Sequence, residues 1–430
     1  MAEKRKLRWL RLDNAAKIYP AARRKTWSNI YRMSVTLTEP VDREVLQSAL
    51  DATVPRFPSI AARLRKGMFW YYLEQLEQAP RVRNENSYPM VHMSRGEMRR
   101  CAIRVIAYGN RIAIELFHAL TDGTGAMIFL KSLTAEYLTQ KYGIKIPAEK
   151  GVYDRTEQPR EPELEDSFLK YGGTLSASRK SNDAWHVSGN RNPEGFLSVT
   201  CLELPTEKVV EKARAYGVTV TAFLTSVLLM ALQELQLESL PRQKKRKSIK
   251  VLIPVNLRRL FPSQTLRNFA MYSAPELQPR LGYYEFEEIC RLVSHKMGLD
   301  ITPKNMSAMI ASNIAAERIM AVRLVPLFLK NMIMRAIFDA VGERKSSLTM
   351  SNMGKQELPP EMERYVNRMD FILGIQAAVP NNCGVVSYRD TTYVNFIRNI
   401  REPKLEQKFY QVLRSLDIPV TVSSNRGESV

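Results

Sequence analysis

Alternating apolar and polar positions mark two strands, Cys101 to Ala107 and Arg111 to His118, with Gly109-Asn110 between them as a tight-hairpin signal. A two-residue period puts Ile112, Ile114, Leu116 and His118 on one face of the second strand, so the imidazole ends an apolar row. The period then changes. Thr121 or Asp122 can cap a helix whose apolar stripe runs through Met127, Leu130, Leu133 and Leu138, and Gly143 after Lys141-Tyr142 supplies its stop. Elsewhere, Asp42 to Leu64 reads as a helix and its exit, and Met68 to Tyr72 as an aromatic strand packing a core or an edge. Val218 to Leu237 reads as an apolar helix and Ile249 to Pro254 as a strand. Ala315 to Phe338 is apolar, with Arg318, Arg323, Lys330 and Arg335 spaced through it and a break at Pro326. That pattern fits a half-buried helix with a kink better than a basic amphipathic segment touching membrane.

Residues 151 to 190 lose this periodicity. They hold six acids between Asp154 and Asp166 and two prolines, then a polar stretch rich in Gly, Ser and Asn, which predicts a crossover linker between an N-terminal unit, 1–150, and a C-terminal one, 191–430. The hairpin from Val105 to His118 and its helix have a shadow at Val385 to Arg398, followed by a helix from Lys404 to Leu416, at a constant offset of 280 residues. A duplicated sheet-and-helix unit is expected, with Arg398 in the place of His118.

Composition sets outer bounds. A chain of 430 residues with 45% hydrophobic residues has room for two good cores. The cysteines at 101, 201, 290 and 383 are far apart, with no CxxC pair and no His at ligand spacing, so neither a disulfide frame nor a zinc site is expected. The N-terminal stretch is basic but has no apolar signal-peptide core, and no uninterrupted apolar run approaches eighteen residues. The expectation is a cytoplasmic, reduced monomer, with peripheral membrane contact as the variant.

Candidate chemistry centres on Phe117-His118-Ala119-Leu120-Thr121-Asp122-Gly123, which places a His at a strand end with Asp at +4 and Gly at +5. A lone strand-end His is most often a core residue satisfied by a backbone carbonyl. Two further segments change that reading: Ile253-Pro254-Val255-Asn256-Leu257-Arg258, followed by Leu266-Arg267-Asn268-Phe269, and Thr349-Met350-Ser351-Asn352-Met353-Gly354. With all three in this order, the chain resembles the CoA-dependent acyltransferase superfamily. That superfamily holds chloramphenicol acetyltransferase, condensation domains of peptide synthetases, plant BAHD enzymes, wax ester synthases and alcohol acetyltransferases, and the resemblance is closest to the last. Arg267 stands where the family has glycine, Phe117 replaces the first histidine of chloramphenicol acetyltransferase, and no Asp-Phe-Gly-Trp-Gly element of the plant enzymes is present. His92, His186 and His295 are assigned no chemistry.

The resemblance implies an α/β (α+β) fold of two chloramphenicol-acetyltransferase-like lobes, each a mixed β-sheet covered by helices, with the active site in a tunnel between them. It implies His118 as general base, with Gly123 completing the motif and Asp122 turned away from the imidazole into a bidentate pair with Arg258. Ser351 or Asn352 would supply the oxyanion donor, and Asn268 would line the same region. Acyl-CoA would be the co-substrate and an alcohol or amine the acceptor, with no metal and no permanently bound cofactor. No Ser or Cys lies in a nucleophile-elbow pattern, so direct attack is expected rather than an acyl-enzyme. The runner-up readings are a condensation-type enzyme using carrier-bound acyl groups and a non-catalytic binding member of the fold.

Net charge is +20, from 64 basic and 44 acidic residues, which favours an anionic partner. Coenzyme A phosphates, an acidic acyl carrier protein and an anionic membrane surface all qualify. Nucleic acid is not expected, since no helix-turn-helix, zinc finger or RNP-like pattern occurs. The run Arg242-Gln243-Lys244-Lys245-Arg246-Lys247 reads first as a solvated loop. Contact of Lys244, Lys245, Arg246 and Lys247 with coenzyme A or a carrier is the functional reading.

Overall fold

The computed structural model describes residues 8–23, 29–173, 182–318, 325–341, 343–376 and 379–426. The hairpin forms as its pattern predicts: Ile103–Tyr108 and Arg111–Phe117 pair antiparallel, and Gly109 takes the turn at φ 51°. Ile30–Leu37 pairs with the free edge of Arg111–Phe117. Val366–Ile372, from much later in the chain, adds itself beyond Ile30–Leu37, and Arg83–Asn84 closes the other edge. The first sheet therefore has five strands, one of which crosses over from the second half.

The larger sheet runs in the order Ala270–Ser273, Ile249–Asn256, Leu348–Gln356, Asn381–Tyr388, Thr391–Arg398, Ser198–Pro205, Thr421–Ser424, with Glu276–Leu277 paired to Ile249–Asn256. The hairpin shadow is real in the backbone. Asn381–Tyr388 and Thr391–Arg398 pair antiparallel, and Arg389 takes the turn at φ 51°, as Gly109 does in the first lobe. The helix Lys404–Ser415 follows. At the position matching His118, the buried Arg398 holds Glu406 at 2.7 Å. One lobe thus puts an ion pair where the other puts an imidazole.

A third, three-stranded sheet pairs Trp9–Arg11, Tyr71–Gln75 and Ala62–Lys66, and the two larger sheets are each covered by helices. Arg43–Thr53 and Gly123–Tyr142 pack together over the first sheet's core, and Val220–Ser239 lies beneath Lys404–Ser415 and Phe286–Asp300 over the second. Val220–Ser239 keeps the expectation that no apolar run is uninterrupted over eighteen residues. Thr225, Ser226, Gln233 and Gln236 interrupt its apolar run, yet it is long and apolar enough to cross a membrane, with 72% of its most apolar window buried inside the protein. A smaller cluster of Phe168, Leu257, Phe269, Met271 and Ile310 lies beside the two cores.

Three local expectations change. Residues 68–70 lie in a turn and the strand is Tyr71–Gln75, so the aromatic segment is half strand. In the acidic stretch, Glu163 is buried against Arg56 at 2.5 Å and Leu164 and Phe168 are buried, so that part is anchored rather than free. Residues 174–181 of the polar stretch lie outside the described residues. The apolar segment around Pro326 is two helices, Pro303–Arg318 and Leu327–Val341, and its residues 319–324 are likewise outside.

Candidate active site

The motif loop is built by the strand-to-helix junction. Asp122 caps the helix Gly123–Tyr142, its Oδ1 accepting from the backbone N–H of Thr124 at 3.1 Å and Gly125 at 3.2 Å. Its Oδ2 accepts from Arg258 Nη1 at 2.7 Å and from the Phe269 backbone N–H at 2.9 Å. Both carboxylate oxygens are therefore engaged away from the imidazole. The pair with Arg258 is single-pronged rather than bidentate, because Nη2 donates to the Arg267 carbonyl at 2.6 Å and Nε to the Thr265 carbonyl at 2.9 Å. Arg258 thus gathers Asp122 and the segment 265–269 at one guanidinium.

His118 sits in this frame with its ring covered on two sides. Tyr19 stacks on it at 4.5 Å between centroids and Tyr31 meets it edge-on at 4.9 Å. The Tyr31 hydroxyl donates to the carbonyls of Thr121 and Asp122 at 3.0 and 3.1 Å, so one side chain supports both ring and loop. Nδ1 of His118 lies 3.1 Å from Asn268 Oδ1. The direction of that bond follows from the far side of the amide. Asn268 Nδ2 donates to Asp13 Oδ2 at 3.2 Å, which leaves Oδ1 to accept, so Nδ1 carries the proton. Among the described residues Nε2 has no hydrogen-bond partner.

Asp13 is fully buried. Its Oδ1 accepts from the Ala16 N–H at 2.7 Å, and Arg267 Nη2 stands 3.7 Å from its Oδ2. Burial raises the Asp13 carboxyl above its ordinary range, and Arg267 opposes that rise. The departure from the family pattern at 267 is thus explained: the arginine points away from His118, donates to the Arg11 and Leu164 carbonyls and faces the carboxylate behind Asn268. For His118 itself, burial depresses the pKa below the usual 6.5, partly offset by its own carbonyl, Asp122 and Asn268. The ring is neutral at neutral pH.

A cavity of about 270 Å³ opens beside the imidazole, lined by His118, Asp122 and Gly123 from the first lobe and by Asn256, Ser351 and Asn352 from the second. Ser351 lines the cavity with His118. Asn352 lines it too, but its Nδ2 donates to Thr221 Oγ1 at 3.0 Å and its Oδ1 accepts from the Gly354 N–H. Asn268 is corrected from lining residue to ring partner, with both ends of its amide used. Gly123 lies where a Cβ would meet the flexible Met353 side chain, 2.7 Å away, and touch Met33 at 3.5 Å. None of Lys244, Lys245, Arg246 and Lys247 lines this cavity. Arg246 instead binds the carbonyls of Leu240 and Pro241 at the end of the preceding helix. Among the described residues no group of His, Cys, Asp or Glu is placed to hold a metal ion.

The sequence reading missed Asp13, Tyr19, Tyr31 and Gly125. The last had a visible signal in its place one turn into the motif helix. A Cβ there would lie 2.3 Å from the Leu266 carbonyl oxygen, so glycine is what lets the helix start press on the 265–269 segment.

The profile of the alcohol acetyltransferase family matches residues 168–275, the segment that carries Arg258, Arg267 and Asn268. No curated protein matches by sequence. Among solved structures, the trichothecene 15-O-acetyltransferase from Fusarium sporotrichioides aligns over 97% of this chain and 96% of its own, with a TM-score of 0.60 at 13% identity. Another F. sporotrichioides protein, solved with coenzyme A and T-2, aligns over 96% and 99%, with a TM-score of 0.63 at 10% identity. The wax ester synthase/diacylglycerol acyltransferase from Marinobacter aquaeolei aligns over 95% and 100%, with a TM-score of 0.56 at 13% identity. The first condensation domain of the CDA synthetase gives 0.56 at 14% identity, over 96% of each chain. The chain thus has the two-lobed fold of the CoA-dependent acyltransferase and condensation-domain superfamily, and within it residues 168–275 match the alcohol acetyltransferase family.

Proposed function

We propose that the protein transfers an acyl group from acyl-CoA to an alcohol or amine acceptor in the cavity between its lobes, with His118 as general base. The observation that carries this reading is the His118 Nδ1 to Asn268 Oδ1 bond, which fixes the neutral tautomer and leaves Nε2 as the basic nitrogen. The acceptor hydroxyl or amine gives its proton to Nε2 as its oxygen or nitrogen attacks the thioester carbonyl. Collapse of the tetrahedral adduct then expels the coenzyme A thiolate, which takes the proton back from the imidazolium. Asp122 and Arg258 hold the loop and the facing segment, and Asn268 with Asp13 behind it holds the ring. Tyr19 and Tyr31 exclude water from its faces. Ser351 is the side chain in the cavity best suited to donate to the developing oxyanion.

The mixed lining of the cavity supports this over a purely scaffolding role, since a base with a free nitrogen faces space shared by both lobes. Thiol release should be measured over a series of acyl-CoA lengths against a panel of alcohols and amines, with products identified by mass spectrometry. Acceptor-dependent release that His118→Ala abolishes is the expected result. Turnover with acyl groups on a carrier protein and none with acyl-CoA would move the condensation-type reading ahead. Ligand binding without turnover by either donor would move the binding reading ahead.

A further inference from the structure

The helix Leu327–Val341 is turned inside out. Phe328, Met332 and Ile333 are 64%, 68% and 53% exposed, while Lys330 on the opposite side is buried. At 100° per residue, Phe328, Leu329, Met332, Ile333 and Ala336 share an arc of about 140°. The inversion is held in place by bonds of its own. Lys330 Nζ lies 3.6 Å over the Trp70 ring and donates to the Phe69 carbonyl at 3.1 Å, and Asn331 donates to the Tyr71 hydroxyl at 3.1 Å. The Leu327 N–H donates to the Met68 carbonyl, and the Met68 side chain, 76% exposed, extends the apolar face.

Cations rim this face. A hollow of about 290 Å³ at the foot of the helix is lined by Phe328 and Asn331 together with Arg23, Lys66, Arg95 and Arg99, and no acid is among its described lining residues. We propose that this surface docks on an anionic bilayer, with Phe328, Met332, Ile333 and Met68 entering the headgroup region and Lys66, Arg95 and Arg99 meeting lipid phosphates. The chemistry is that of an interfacial helix lying in the membrane plane: a convex apolar arc with a basic border, on a chain of net charge +20. A second copy of the chain fits less well, because a two-fold contact through this face would set the two basic rims against each other. Placement gives the surface a bearing on the site. Leu327–Val341 packs on the short helix Ile18–Ala22, whose Tyr19 stacks on His118, so a docked molecule has the lipid on the outer side of the element that roofs the imidazole.

The proposal does not depend on the reaction, and its test needs no turnover. The full chain is floated with vesicles of phosphatidylcholine alone and of phosphatidylcholine mixed equally with phosphatidylglycerol, at low and high salt. Binding to the mixed vesicles is expected, weakening as salt rises. Arg95→Gln/Arg99→Gln should lose about fivefold in partition per charge removed, and the preference for anionic lipid with it. Phe328→Ser/Met332→Ser/Ile333→Ser should lose at least tenfold at either salt while keeping the parental circular dichroism and melting temperature. As a second readout, Phe328→Trp should gain fluorescence quenching by brominated lipid relative to the parent. Absent binding, or equal binding to both vesicle types, overturns the proposal. So does a lipid-independent dimer that the triple variant dissolves, or capture of an acidic carrier protein through this face without vesicle binding.

Discussion

Asn268 Oδ1 accepts from His118 Nδ1 at 3.1 Å while the same amide donates to Asp13 at 3.2 Å, so a carboxylate 105 positions upstream of the histidine sets which ring nitrogen carries the proton. An amide can flip, and the buried carboxylate is what stops this one from flipping.

That relation gives the first expectation. Asp13→Asn removes the fixed acceptor and lets the Asn268 amide reverse, so kcat should fall on the order of 10²-fold through a misplaced base while KM for the acceptor changes little. The same substitution leaves buried Arg267 without its carboxylate, so Asp13→Asn/Arg267→Met should recover stability without recovering kcat. Steady-state kinetics beside thermal melts separate the two effects. A kcat that recovers along with stability would mean that Asp13 supports only the fold.

His118→Ala should leave the protein folded and lower turnover by roughly 10² to 10⁴, the usual worth of one general base. The check is thiol release in the presence of acceptor, and an unchanged rate would falsify the assignment.

Asp122→Asn and Arg258→Met should each destabilise by about 3 to 5 kcal/mol, since each leaves the other charge of a largely buried pair unmatched. The double variant should cost little more than either single one, a coupling that a double-mutant cycle in denaturant measures. Additive losses would show that the two residues act independently.

The pH profile has a definite sign. The active base is the neutral ring, so kcat/KM rises with pH through the imidazole pKa. Burial depresses that pKa, which puts the acid limb below about 6.5. The Asn268 oxygen stabilises the protonated ring, so Asn268→Ala should move the limb lower still. A limb above 7 in the parent would contradict this account.

Gly125→Ala drives a methyl against the Leu266 carbonyl and the Thr121 hydroxyl, at 2.3 and 2.1 Å before relaxation. Overpacking of that kind costs typically about 1 to 3 kcal/mol, and because the displaced segment carries Asn268, activity should fall with stability. Urea denaturation and turnover of the same preparation test it.

Much of this was legible because it is local. The Gly109-Asn110 turn, the apolar row ending at His118 and the cap at Asp122 are written within about forty residues, and both sheets show hairpins at the predicted offset. The contact between Asp122 and Arg258 was available through the family resemblance, since no periodicity links positions 136 apart. Asp13 had no motif around it, and its value comes from burial beside Arg267 and Asn268, 254 and 255 positions away. Arg267 looked like a departure because its partner could not be seen. The orientation of the helix Leu327–Val341 is set by a residue far from it in sequence: Trp70 supplies an aromatic surface for the Lys330 ammonium, and the apolar face turns out.

The strand Val366–Ile372 carries a lesson about the order of synthesis. A chain made from its N terminus has Ile30–Leu37 ready to pair long before residue 372 exists, so one edge of the first sheet stays bare, with unpaired backbone donors and acceptors, until most of the protein has left the ribosome. Residues 1–150 made alone would keep that edge for good, and with it a tendency to add strands from other molecules. The two halves that share this hairpin-and-helix unit are therefore not two parts that can be made, moved or exchanged separately; the first is finished by the second.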